Sequence, residues 1–313
     1  MTGATGFAGS HLVDHLLEFA PHVAAWGHAA GRPLSRSDDS RIAWGSVDIL
    51  DLDDLSRALH TVRPSAIFHC AGVADVHSAW RESAAALRVN AMGTHYLLEA
   101  VRRCRLEVPV LVIGSALVYR PSGEPIDEER AVAPATPYGV SKLAQEMAAA
   151  RASWCPVFLA RPFNHAGPRQ SDAYVTSSFA RQIAEIEAGL RDPVLRVGNL
   201  ESRRDITDVR DTVRAYRLIL ERGRPGRPYN VCSGRAYRIA DLMDMLVARA
   251  RVSIRVHPDP ERLRPSDTPV VVGSFARLEA DTGWRPQIPI ERTLTDLLDY
   301  WRRVIAAGDA ATS

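Results

Sequence analysis

Lysine is almost missing from this chain. Among 313 residues there are 39 Lys and Arg, of which only Lys142 is a lysine and 38 are arginines. Arginine therefore stands wherever a generic cation serves. Lysine is the compact ammonium whose pKa moves readily in an apolar site, which arginine's does not. Cysteine is scarce as well. Cys70, Cys104, Cys155 and Cys232 stand singly, without the spacing of a metal ligand set or a redox pair, which leaves them as small core residues. No apolar run approaches the ~20 residues of a membrane span. The N-terminus lacks the charged-then-apolar plan of a secretory signal, so a cytoplasmic location with no membrane partner is expected. The 39 basic and 37 acidic residues are mixed along the chain, for a net charge of +2. With no basic tract to follow a phosphate backbone, nucleic acid is excluded as a partner. There is no internal repeat and no low-complexity segment.

What is present is a chain with 46% hydrophobic residues, enough to fill one large α/β unit or two smaller ones. It opens on Gly3, Thr5, Gly6, Phe7, Ala8 and Gly9, a Gly-x-x-Gly-x-x-Gly turn leading into a helix predicted over Leu12 to Phe19. Such glycines allow a tight turn, close approach of backbone to a pyrophosphate and close helix packing. The strand predicted at Val23 to Trp26 completes the βαβ context of a dinucleotide site. His11 and His15 share a helix face, but no further ligands accompany them and no metal is expected. A central strand should precede Gly3, yet the chain starts at Met1; the expectation is that Met1 lies inside the natural first strand.

After Trp26 there is no acidic residue to hold a ribose 2′-hydroxyl. His28 and Arg32, with Arg36, instead offer donors for a 2′-phosphate, so NADP(H) is the preferred cofactor and NAD(H) the alternative. Asp48, beside Ile49, is a candidate acceptor for the adenine amino group. The apolar strand Ala66 to His69 runs into Cys70, Ala71 and Gly72, a small-residue loop that lets backbone approach a cofactor. Helices are predicted over Ala84 to Arg103, carrying Asn90, and over Tyr138 to Ala152, with strands at Val108 to Ser115 and Val157 to Arg161. This repeated βαβ order predicts an α/β, Rossmann-type doubly wound parallel sheet. Residues 1–162 and about 205–232 are assigned to it. A smaller interleaved α/β substrate lobe is assigned to about 163–204 and 233–305, and 306–313 to a tail.

Ser115 lies at a strand end, and Tyr138 and Lys142 lie four apart, on one face of a helix. The ammonium is expected to favour the phenolate and to reach the nicotinamide ribose, with Tyr138 as general acid or base and Ser115 holding the substrate oxygen.

Together these motifs resemble the extended short-chain dehydrogenases/reductases, the NAD-dependent epimerase/dehydratase family. Within that family, Ala160 to Pro168, Ser202 to Asp205, Tyr229 to Gly234 and Arg262 to Asp267 are similar to the GDP-6-deoxy-4-keto-mannose reductases and the GDP-mannose 4,6-dehydratases. The resemblance implies that Asn164, Arg204 and Arg264, with Ser115, meet a nucleotide sugar, that Asn90 and Arg161 join the cofactor contacts, and that the chain forms a homodimer through a four-helix bundle. Dehydratases of this kind place acidic residues two or three positions before the tyrosine matching Tyr119. Here those positions are Leu117 and Ala116, which carry no proton, so elimination lacks its acid and base. The expected reaction is reduction of a nucleotide-linked, GDP-linked by preference, 4-keto-6-deoxyhexose at C4. Its rivals are C4 epimerisation, a dehydratase-like activity and a non-catalytic cofactor-binding regulator.

Overall fold

The computed structural model describes residues 1–28, 39–262 and 269–308. Helix α1 (Phe7–Leu16) leaves directly from the glycine turn, five residues earlier than its apolar pattern suggests. Strand β1 (Val23–Gly27) follows and pairs in parallel with β2 (Ile42–Ser46). Helix α2 (Leu52–Val62) starts where the Asp51 carboxylate accepts from the amides of Asp53 and Asp54, at 2.9 Å each, satisfying donors that a helix start leaves unpaired. Then come β3 (Ile67–His69), the short helices α3 (Val76–Arg81) and α4 (Ser83–Leu87), a π-helical turn at Arg88–Met92, and α5 (Gly93–Arg103). Strand β4 (Val110–Ile113) ends in a 3-10 turn at Ala116–Val118, and α6 (Pro137–Ala150) leads to β5 (Val157–Pro162).

The main sheet runs β2, β1, then β3, β4 and β5 in parallel, and closes on β9 (Pro228–Val231). The central place between β1 and β3 is held by Thr2, which bridges both Trp26 and His69. The Thr2 amide donates to the Phe68 carbonyl at 3.0 Å, and the Trp26 amide donates to the Met1 carbonyl at 2.9 Å. The doubly wound order expected from the sequence is therefore present, with Met1 and Thr2 in its innermost place.

The second lobe contains β6 (Asn164–Ala166), α7 (Val175–Glu187), β7 (Val194–Val197) and β8 (Arg203–Asp208). Helix α8 (Val209–Arg222) then returns to the main sheet, packing on α1 and β5. After β9 the chain crosses back through β10 (Ala236–Arg238), α9 (Ile239–Val247), β11 (Arg255–Pro258) and β12 (Val270–Val271). Strand β8 is the spine of this lobe, pairing with β6, β10 and β12. Residues 205–208, assigned from sequence to the main sheet, thus belong to the small one. Helix α10 (Ala276–Thr282) corrects the assignment the other way: Leu278 and the following Trp284 are fully buried in the main-sheet core. The last helix, α11 (Ile290–Ala306), lays Leu294, Leu297, Leu298 and Trp301 into the second core beside α7 and α9.

Candidate active site

The glycine turn fits a dinucleotide phosphate because any side chain there would strike backbone. Gly3 sits at φ +69°, and a Cβ on it would lie 2.5 Å from the Ala71 amide; one on Gly9 would lie 1.9 Å from the Gly3 carbonyl. Helix α1 starts at once behind this turn with its free amides forward, the arrangement that suits a phosphate. Phe7 stacks on His165 with ring centroids 5.6 Å apart, tying the turn to the second lobe. Thr5 packs against Gly27, where a Cβ would meet its Cγ2 at 2.5 Å. His28 is exposed just past β1, while Arg32 and Arg36 lie outside the described residues. The Asp48 carboxylate accepts from the Leu50 amide at 2.8 Å, and Ile49 packs on Gly93 of α5.

Ser115 caps the 3-10 turn, its Oγ accepting from the Leu117 amide at 3.1 Å. Thr136 caps α6 with Pro137 in its first turn, which suits proline's fixed φ and missing N–H. Gly139 then lets the two segments meet: a Cβ there would lie 2.3 Å from the Leu117 carbonyl. This contact sets Ser115 beside the Tyr138 phenol, close enough for its hydroxyl to lower the phenol's pKa. Lys142, one turn on, is buried, with Nζ donating to the Ile113 carbonyl and to Gln145 Oε1 at 2.7 Å each. A Cβ on Gly72 would lie 3.7 Å from that ammonium and 2.6 Å from Asn90 Oδ1, so the small-residue loop lies over α6.

Burial decides the protonation states. It pushes the Tyr138 phenol above its ordinary value, only partly offset by the Ser115 hydrogen bond. Burial also pulls Lys142 down to about 8, against the raising influence of Glu146 and Cys70. Burial thus favours the protonated phenol at Tyr138.

Asn90 lies in the π-helical turn, fully buried. Its Oδ1 accepts from the Val73 amide at 2.8 Å and its Nδ2 donates to Ser141 Oγ at 2.9 Å. It thereby fixes the loop after Gly72 against α6, and π turns of this kind recur at functional sites. Arg161 is held by its neighbours in the protein. Its Nε and Nη2 grip Glu146, the latter at 2.7 Å, and its Nη1 donates to Tyr119 Oη at 2.9 Å. These bonds brace α6 against β5. Glu146 in turn sits where a Cβ on Gly114 would meet Oε1 at 2.5 Å.

Asn164 is exposed in β6 beside Ile206. Arg204 is half-buried in β8, with Nη1 donating to the Arg203 carbonyl at 2.8 Å. Arg264 lies outside the described residues. Nothing in the sequence singles out Tyr174. It stands near enough to Tyr138 to raise its pKa, and its hydroxyl donates to the Ala74 carbonyl at 3.3 Å. It bridges the substrate lobe to the loop over the catalytic helix.

The profile of the GDP-mannose 4,6 dehydratase family matches residues 1–297. The chain belongs to that family. As a member of it, the chain has the extended short-chain dehydrogenase/reductase fold. It is 38% identical over 308 residues to GDP-6-deoxy-D-mannose reductase of Pseudomonas aeruginosa, covering 96% of each. It is 28% identical to GDP-mannose 4,6-dehydratase sdnI of Sordaria araneosa, covering 95% of this chain and 60% of that one. Among solved structures, RMD from Pseudomonas aeruginosa complexed with NADPH superposes with a TM-score of 0.83 at 36% identity, covering 96% of this chain and 97% of the other. UDP-glucose 4-epimerase of Thermus thermophilus in complex with NAD gives 0.83 at 27% identity, covering 96% and 97%.

Proposed function

We propose that this family member is a reductase, converting a nucleotide-linked 4-keto-6-deoxyhexose, GDP-linked by preference, to the corresponding 4-hydroxy sugar with NADPH. The observation that carries the reading is the acid–base content of the site. Ser115 stands beside a Tyr138 phenol that burial keeps protonated, while Ala116 and Leu117 stand where a dehydratase would need proton carriers. When bound, NADPH supplies the hydride. Tyr138 gives its proton to the carbonyl oxygen as that oxygen gains charge, and Ser115 holds the same oxygen in place. Lys142, with two donors already fixed, keeps a third for the ribose side of the site or for the phenolate once formed. The 38% identical reductase and the NADPH complex support both halves of the assignment.

Arg204, Asn164 and Arg264 are proposed to hold the sugar nucleotide, with planar guanidinium forks on its diphosphate. We also propose a homodimer through α5 and α6 with their flanking turns. Val140 and Met147, one face of α6, are exposed, as are Leu87 and Met92, and a second copy would cover them. No described helix is long and apolar enough to cross a membrane.

The test is a panel of nucleotide 4-keto-6-deoxysugars offered with NADPH and NADH. Stoichiometric oxidation of NADPH, with a C4 alcohol identified by NMR, is expected. Product formed with no net loss of reduced cofactor would overturn the reading in favour of epimerisation.

A further inference from the structure

Behind the catalytic helix lies a run of side chains that the proposed chemistry does not touch. Gln145, Thr94 and His69 are each 0% exposed, and Thr2 is 1% exposed. Gln145 Oε1 takes one hydrogen of Lys142 Nζ at 2.7 Å, and its Nε2 donates to Thr94 Oγ1 at 3.0 Å. The Thr94 hydroxyl donates to the Asn90 carbonyl at 2.7 Å, so its own hydrogen is committed and it accepts from its other neighbours. One of these is His69 Nε2, at 2.8 Å, which must therefore carry the imidazole's proton. His69 Nδ1 is left as an acceptor for the Thr2 hydroxyl at 2.8 Å, and Thr2 Oγ1 takes the Ala71 amide at 3.3 Å.

The donors and acceptors from Lys142 to Thr2 thus run in one fixed direction. The amide of Gln145 cannot turn over without pointing its NH2 at an ammonium and its oxygen at a hydroxyl whose hydrogen is already engaged. We propose that Gln145 is a positioning residue for Lys142, locked in one orientation by Thr94, His69 and Thr2, an inference that rests on the proposed role of Lys142 beside the nicotinamide.

The arrangement suits that role in two respects. A neutral amide oxygen orients the ammonium without cancelling its charge, whereas a carboxylate would hold it as a closed ion pair. The lock also starts at Thr2, next to Gly3 of the phosphate turn, so the ammonium and the cofactor cradle share one rigid reference. The titratable groups around Nζ are Tyr138 and Glu146 on its own helix, and His69 and Cys70 at the end of β3; β4 contributes the Ile113 carbonyl and α5 the neutral Thr94. Burial and the nearby positive charges lower His69 to about 3, so it is a neutral link rather than a competing cation.

Because Lys142 is the only lysine, protein labelled with 15N/13C lysine reports this one ammonium directly, with no substrate needed. Its titration is to be followed by NMR in the wild type, in Gln145→Leu and in Thr94→Val. Loss of a hydrogen bond to the charged form favours the neutral amine. The lysine signal in Gln145→Leu should therefore titrate about one pH unit lower, with a smaller shift in the same direction in Thr94→Val. The alkaline limb of kcat for keto-sugar reduction should move with it. A lysine titration unchanged in both folded variants would overturn the proposal, even if their melting temperatures fell. If wild-type protein reduces no keto sugar but its lysine titration responds as described, the positioning stands and the substrate assignment fails.

Discussion

Gly139→Ala adds a single methyl where α6 meets the 3-10 turn. The added methyl would lie 2.3 Å from the Leu117 carbonyl, where ordinary contact begins near 3.4 Å. Either the start of α6 or the 3-10 turn must retreat by about 1 Å. Gly139 adjoins Tyr138, and Leu117 is held by Ser115 Oγ, so the retreat separates the acid from the hydroxyl that holds the same oxygen. A misplacement of about 1 Å can cost roughly 100-fold in rate, which corresponds to about 2.7 kcal/mol of barrier. Alanine is also the better helix former by about 1 kcal/mol, which offsets part of the clash and should leave the variant folded. The assay is keto-sugar reduction at saturating NADPH, with cofactor affinity and melting temperature measured on the same preparations. kcat should fall by roughly two orders of magnitude with NADPH affinity nearly unchanged. A kcat within twofold of wild type would show that the Ser115–Tyr138 spacing does not control the rate.

Tyr138→Phe should abolish turnover while still binding NADPH, as measured by quenching of cofactor fluorescence; full activity would remove Tyr138 as the acid. Glu146→Ala leaves the Arg161 guanidinium buried without its partner and should cost about 3–5 kcal/mol of stability in denaturant titrations; a loss under 1 kcal/mol would contradict the bracing role. Acid should destabilise the fold before the carboxylates titrate. Burial lowers His69 to about 3 and His11 to about 4, against ~6.5 when unfolded. The unfolded chain therefore binds more protons in this window, and stability falls as pH drops below 6.5, by about 2 kcal/mol for each histidine at pH 5. Unfolding free energies that stay flat from pH 7 to 5 would refute the neutral, buried state of both rings.

The parts legible in the sequence are those whose partners lie close along the chain. The glycine turn spans seven residues, and Tyr138 and Lys142 share one helix face, so local periodicity exposes both. Ser115 shows itself by ending an apolar strand. The brace between Glu146 and Arg161 is hidden because the two sit on different elements and each looks like a surface charge. The Gln145, Thr94, His69 and Thr2 chain is hidden for a stronger reason: its contacts join residues 51, 25 and 67 positions apart, and no single residue in it departs from ordinary core filling. The small sheet escapes notice because its strands are two to six residues long, too short for alternation to register. The rise that burial gives the Tyr138 phenol is hidden as well, because a sequence displays charge but not desolvation.

The spacing at the catalytic helix is set by glycines, Gly139 against Leu117 and Gly114 against Glu146. Glycine has no smaller neighbour among the amino acids, so mutation at these positions can only push the acid and its partner apart. The constraint is one-sided. In a library of random variants the distance between Ser115 and Tyr138 can drift outward but not inward, and the starting protein already stands at the near limit. Variants selected for a new sugar will therefore carry their changes in the second lobe, where side chains can be exchanged in both directions, and will leave the floor of the site as it is.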